Sequence, residues 1–146
     1  MSNKGKTKAG WLLLSILYAD KGNGATLGTI LINGDWINHA IFSEDELVNG
    51  LTRLQQAQLI RKRENLIYKE EKARKILKEE SKAFDLYNQW DTLDDYLIEN
   101  NIEKSAIQKD ESADIESFVR KNFRSAYENY LNKVSSRVKR SILKNE

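Results

Sequence analysis

Residues 43–69, SEDELVNGLTRLQQAQLIRKRENLIYK, decide how this chain is read. Ser43 followed three positions later by Glu46 is a capping-box pattern: the serine hydroxyl accepts a backbone N–H, and the glutamate reaches back to the N–H of Ser43. A helix is therefore expected over 43–58. Within and just beyond it, Leu47, Val48, Leu51, Leu54, Leu59 and Ile60 recur at three- and four-residue spacing, which gathers apolar groups on one side. The other flank offers Asn49, Thr52, Arg53, Gln55 and Gln56. From Leu59 the period shortens, and Ile60-Arg61-Lys62-Arg63 and Leu66-Ile67-Tyr68 read as two strands joined at Glu64-Asn65, a hairpin over 59–69. Strand alternation puts Arg61 and Arg63 on one face.

Upstream, Trp11, Leu12, Leu14, Leu17 and Tyr18 predict a buried helix over 11–20, ending near Lys21-Gly22-Asn23-Gly24, where glycine suits a left-handed helix end. Leu27, Ile30, Leu31, Gly34 and Ile37 keep helical spacing over 26–37, and residues 35–42 then form the connection, with Trp36 or Phe42 plugging the seam. The longest apolar run, 11–19, is about half of the ~20 residues a membrane crossing needs. Lys4, Lys6 and Lys8 mimic the start of a signal peptide, but no small-residue cleavage pattern follows. Residues 1–9 read as a basic, mobile tail.

Downstream, Ala73, Ile76, Leu77, Ala83, Phe84, Tyr87 and Trp90 repeat at helical intervals and continue through Leu93, Tyr96 and Leu97, with a kink expected where Thr92 and Asp95 resemble a second cap. Residues 100–114 are polar and weakly periodic, and Lys109-Asp110-Glu111-Ser112 reads as a loop. The last element is an apolar stripe from Ile115 through Phe118, Val119, Ala126, Tyr127, Tyr130, Leu131, Val134 and Val138 to Ile142, roughly 40 Å long if helical. A helix of that length either packs back on the first domain or pairs with a copy of itself. The divisions expected are a tail at 1–9, a first domain at 10–72, a helical extension at 73–100, a linker at 101–114 and an amphipathic C-terminal helix at 115–146.

With 146 residues, 40% of them hydrophobic, the chain suits one domain with appended elements, and zero prolines favours helix. Zero cysteines leaves no disulfide framework and no thiolate metal site, and fits a cytoplasmic location. The net charge of +2 hides a division, since residues 73–116 carry 6 Lys+Arg against 12 Asp+Glu and residues 117–146 carry 8 against 2. Arg120 with Arg124, and Lys133, Arg137, Arg140 with Lys144, form basic strips whose first expected partner is the acidic middle of the same chain. No enzyme, metal or cofactor is expected. His39 is the only histidine and reads as a turn or cap residue. The pairs Asp94-Asp95 and Glu79-Glu80 point in different directions on a helix and read as solvated charge, while Gly22-Asn23-Gly24 lacks the Lys-Ser/Thr of a phosphate loop.

Two helices, a capped third helix and a hairpin in this order resemble the winged helix-turn-helix superfamily, in the manner of small bacterial and phage transcription regulators. The likeness rests on Glu46-Leu47 through Leu51, Leu54 and Leu59-Ile60 to Tyr68 and covers about half the chain. It implies a mainly α domain with a small β-hairpin; the long C-terminal helices that follow are expected from their apolar spacing and lie outside the likeness. It also implies a transcription regulator on double-stranded DNA, with Asn49, Thr52, Arg53 and Gln56 in the groove and Arg61, Lys62 and Arg63 on the flanking backbone. Such a regulator would form a homodimer through the C-terminal helix. Against DNA stand Glu44-Asp45-Glu46, acids that suit the positive end of a helix dipole but would face phosphate. Gln58 replaces a glycine common in such proteins, at a cost of about 1 kcal/mol if its backbone is left-handed. The alternative use of this fold is a protein-protein interaction or assembly module without DNA binding. A membrane-surface role for 115–144 is a third expectation.

Overall fold

The computed structural model describes the backbone of residues 7–80 and 85–144, and the side chains of 7–78 and 85–135. The fold is mainly α with a small antiparallel hairpin: α1 Lys8–Ala19, α2 Leu27–Asn38, α3 Glu44–Gln56, β1 Ile60–Arg63, β2 Leu66–Lys69, α4 Glu71–Glu80, α5 Leu86–Glu99 and α6 Lys109–Lys144. None of the described helices is long and apolar enough to cross a membrane.

α1 is the centre of the molecule, buried almost all round from Ala9 to Ile16 because α2, α3, α5 and β2 all pack on it. Thr7 caps it, its hydroxyl accepting from the Gly10 N–H at 2.8 Å, so the expected tail at 1–9 is corrected at its end, where Lys8 and Ala9 are already helical; residues 1–6 lie outside the described part. Its far end also departs from expectation. The helix closes at Asp20 in an extended conformation, and the glycines serve the loop beyond it. Asp20 Oδ1 accepts from the N–H groups of Gly22 and Gly24 at 2.8 and 2.9 Å, while Oδ2 accepts from Lys69 N–H of β2 at 2.9 Å. Burial opposes ionisation of this carboxyl, but the three donors outweigh it and its pKa is lowered. Gly24 has φ +83, and a side chain there would meet the Tyr68 ring at 2.9 Å.

α2 starts on a Thr26 cap, its hydroxyl accepting from the Thr29 N–H, and ends at His39, whose backbone is left-handed. It is helical through Asn38, so residues 35–38 belong to the helix and not to the connection, and Phe42 alone fills the seam. Phe42 is 1% exposed and stacks on Trp11 with ring centroids 3.7 Å apart, whereas Trp36 is 54% exposed. α3 starts on the complete capping box at Ser43 and Glu46. Gln58 has φ +63, the left-handed conformation expected of that position. The hairpin pairs Ile60 with Lys69 and Arg63 with Leu66, and Ala25 joins its edge through two hydrogen bonds with Ile67.

The extension at 73–100 is two helices. α5 begins on its own cap, Asp85, and runs through Thr92 without a break, because the Thr92 hydroxyl bonds back to the Asn88 carbonyl instead of capping. Ala83 and Phe84 lie outside the described residues. The linker is shorter than expected: α6 starts at Lys109, and Asp110 and Glu111 sit in its first turn, where acids favour the positive end of a helix. Its 36 residues span about 54 Å. Ile115, Phe118, Val119 and Ala126 are buried as α6 crosses α2 and α3, so the first half of the helix packs back on the domain.

Candidate functional site

The outward flank of α3 is covered by the chain that leads into α6. Arg53 Nε donates to the Ser105 carbonyl at 3.0 Å. Gln56 clasps the next residues with both ends of its amide, Nε2 donating to the Ala106 carbonyl at 3.0 Å and Oε1 accepting from the Gln108 N–H at 2.8 Å. These bonds satisfy backbone groups of a segment with no regular structure of its own. The donor and acceptor pair that could read an adenine edge is thus used on a peptide backbone.

α6 then crosses the acidic start of α3. Arg120 donates to Glu44 and to Asp45, the latter at 3.0 Å, and also lies 3.5 Å from Glu116. These contacts raise its pKa. Acids that would repel phosphate therefore have a cationic partner in the same chain. Of the strip residues whose side chains are described, Arg120 meets the start of α3 as well as Glu116 of the acidic middle, and Arg124 meets Glu128 of its own helix. The side chains of Arg137, Arg140 and Lys144 lie outside the described residues.

The remaining expected groove and backbone residues are dispersed. Thr52 is fully buried, its hydroxyl donating to the Val48 carbonyl at 2.6 Å, because the arc of α3 against α1 and α6 is wider than the leucine stripe alone. Asn49 is exposed, on a cleft of about 220 Å³ bounded by Lys8, Arg53 and Glu103. Lys62 is turned inward, with a side chain 15% exposed, Nζ 3.2 Å from Asp114 of α6 and 5.7 Å from the centre of the Phe118 ring. Its N–H also donates to Gln55 Oε1 at 2.8 Å. Arg61 and Arg63 stay exposed on the hairpin, with Arg61 Nε 3.3 Å from Glu70. The residues that sequence reasoning missed are Ser105, Ala106, Gln108 and Asp114, together with the pairing of the strip residue Arg120 with Glu44 and Asp45. For Arg120 the acidic first turn of α3 was a usable signal; for the backbone of 105–108 there was none.

A second polar cluster sits at the start of α1. Lys8 Nζ lies 2.7 Å from Glu46 Oε2, and although burial works against Glu46, the Lys8 contact and the Ser43 N–H lower its pKa. Asp94, expected to be solvated, is instead 0% exposed under Thr7 and Gly10. Thr7 Oγ1 donates to its Oδ1 at 2.7 Å, and its Oδ2 is buried without a hydrogen-bond partner. Burial pushes its pKa up to about 6, with Asp91 and Glu103 adding repulsion against the Thr7 bonds. Glu103 is raised by burial as well. Among the described residues no group of three or more His, Cys, Asp or Glu side chains could hold a metal ion.

No family model matches this chain, and neither does any curated protein or solved structure.

Proposed function

We propose that this chain is a winged-helix protein-interaction module whose α3 face engages polypeptide rather than a DNA groove, with a second copy of the chain as its partner through α6. One observation carries the reading: Arg53 and Gln56, the side chains best suited to base edges, are committed to the main chain of residues 105–108. Burial of Thr52 and the inward turn of Lys62 support it, because neither can meet a duplex without rearrangement. The test is binding of mixed-sequence duplex DNA to the full chain at low salt. No binding is expected, with Arg53→Ala and Gln56→Ala lowering the melting temperature. Binding that falls steeply with salt and is weakened by Arg61→Ala would overturn the reading.

A DNA-binding regulator is the second reading, favoured by the outward Arg61 and Arg63. It requires residues 102–120 to leave α3. Their peripheral ties, Lys62 with Asp114 and Arg120 with Glu44 and Asp45, are salt-screened ion pairs at the surface, each worth little. Arg120→Glu would then promote DNA binding, whereas on the first reading it only loosens α6.

A further inference from the structure

We infer that self-association, the partner relation proposed above, seats the middle of α6 of one copy on the outer strip of α5 of another. Large apolar side chains exposed among the described residues are Trp36, Tyr87, Ile98, Tyr127 and Leu131. All but Trp36 fall on these two helices. On α5, Tyr87, Asp91 and Ile98 share one strip, with Asp95 beside it; on α6, Arg124, Tyr127 and Leu131 share another, with Lys121 beside it. Each strip spans about 10 to 17 Å of helix; the α5 strip combines large apolar groups with acid, and the α6 strip combines them with cations and one acid, Glu128, which pairs with Arg124.

The charges are opposite. Residues 85–99 hold five acids and no Lys or Arg, while residues 117–144 hold eight Lys+Arg and the single acid Glu128. Within one chain the strips are held apart by packing, since α5 lies on α1 and α4 whereas α6 lies principally on α2 and α3. The Arg124 side chain is 92% exposed, and its ion-pair neighbour in the chain is Glu128 one turn on at 3.5 Å. Pairing α6 with α6 would set cation against cation, whereas α6 on α5 places Arg124 and Lys121 against the exposed Asp91 and lets the apolar groups cover one another. Each copy carries both strips, so the exchange can be reciprocal and closed.

This inference rests on the self-association reading, and the experiment separates their failures. Sedimentation of the full chain should give a mass that rises with concentration toward twice that of one chain, with association weakened about tenfold or more between about 0.05 and about 0.5 M NaCl. Asp91→Lys should leave monomer, as should Lys121→Glu with Arg124→Glu, and a mixture of the two variants should restore the pair. Ile98→Ser and Leu131→Ser, checked by circular dichroism for retained helix, provide the same test without charge reversal. A wild-type monomer at every concentration would overturn both readings. A dimer broken by the α6 changes but untouched by the α5 changes, or one that ignores both, would overturn only the docking.

Discussion

A methyl group at Gly34 would lie 2.5 Å from Phe42 Cε2, closer than carbon atoms approach without something moving. The ring has nowhere to go, because it stacks on Trp11, and Trp11 is itself fixed by donating Nε1 to the Gly34 carbonyl at 2.9 Å. Gly34→Ala is therefore expected to cost about 1 to 3 kcal/mol, the range for overpacking a filled core. Thermal unfolding followed by circular dichroism measures this, and an unchanged melting temperature would show that the ring can yield. Sequence spacing placed Gly34 on the buried face of α2, but it could not choose between Trp36 and Phe42 for the seam. Both are large aromatics near the same turn, but Trp36 lies within α2 on its exposed side, whereas Phe42 follows the left-handed turn at His39. Asp94 escaped for a related reason. Its neighbour Asp95 made it look solvated, but the residues that bury it, Thr7 and Gly10, come from the far end of the chain.

At the scale of elements, helix ends separate what was legible from what was not. The capping box of α3 and the hairpin turn were readable because each is settled by contacts within a few residues. The same physics applies at Gln58. A residue with a β-carbon at φ +63 carries left-handed strain that glycine lacks, so Gln58→Gly is expected to leave stability unchanged or raise it by up to about 1 kcal/mol. Urea unfolding reads the change, and a clear fall in midpoint would mean that the glutamine side chain contributes more than the strain costs. Two ends were misread although their signals were present. Asp85 ahead of Leu86 is a good cap, yet the continuing apolar period hid the boundary between α4 and α5. Asp110 and Glu111 looked like loop residues because of their polarity, although acids had marked the start of α3 in the same way.

Across the whole molecule, the arrangement least visible in the sequence is α6 lying over α2 and α3. It depends on which of two partners the long apolar stripe chooses, and that choice turns on shape and on Arg120 finding Glu44 and Asp45 some 75 residues away. Acid response is also a property of the assembled fold. The Asp94 carboxyl titrates at about 6 when folded and at an ordinary carboxylate pKa of 3.8 when unfolded. Between about pH 4 and about pH 6 the folded chain therefore keeps a proton that the unfolded chain has released, and stability falls as pH rises through that window. Glu103, also raised, acts with the same sign. Asp20 and Glu46, both lowered, act oppositely: their contribution is present above the ordinary carboxylate range and is lost as pH falls below it. Asp94→Asn should flatten the decline by about 1 to 2 kcal/mol between pH 5 and pH 7.5, measured by urea unfolding at both. Parallel pH dependence in the variant and the wild type would show that Asp94 does not titrate in this window.

The two oxygens of Asp20 lead to a mechanical consequence. One oxygen holds the turn after α1 and the other holds the base of β2, so the hairpin is tethered to the central helix by a side chain as well as by its own strand. A tilt of the whole hairpin toward a partner must therefore carry that turn, and Ala25 with it, which couples the base of this cationic finger to α1.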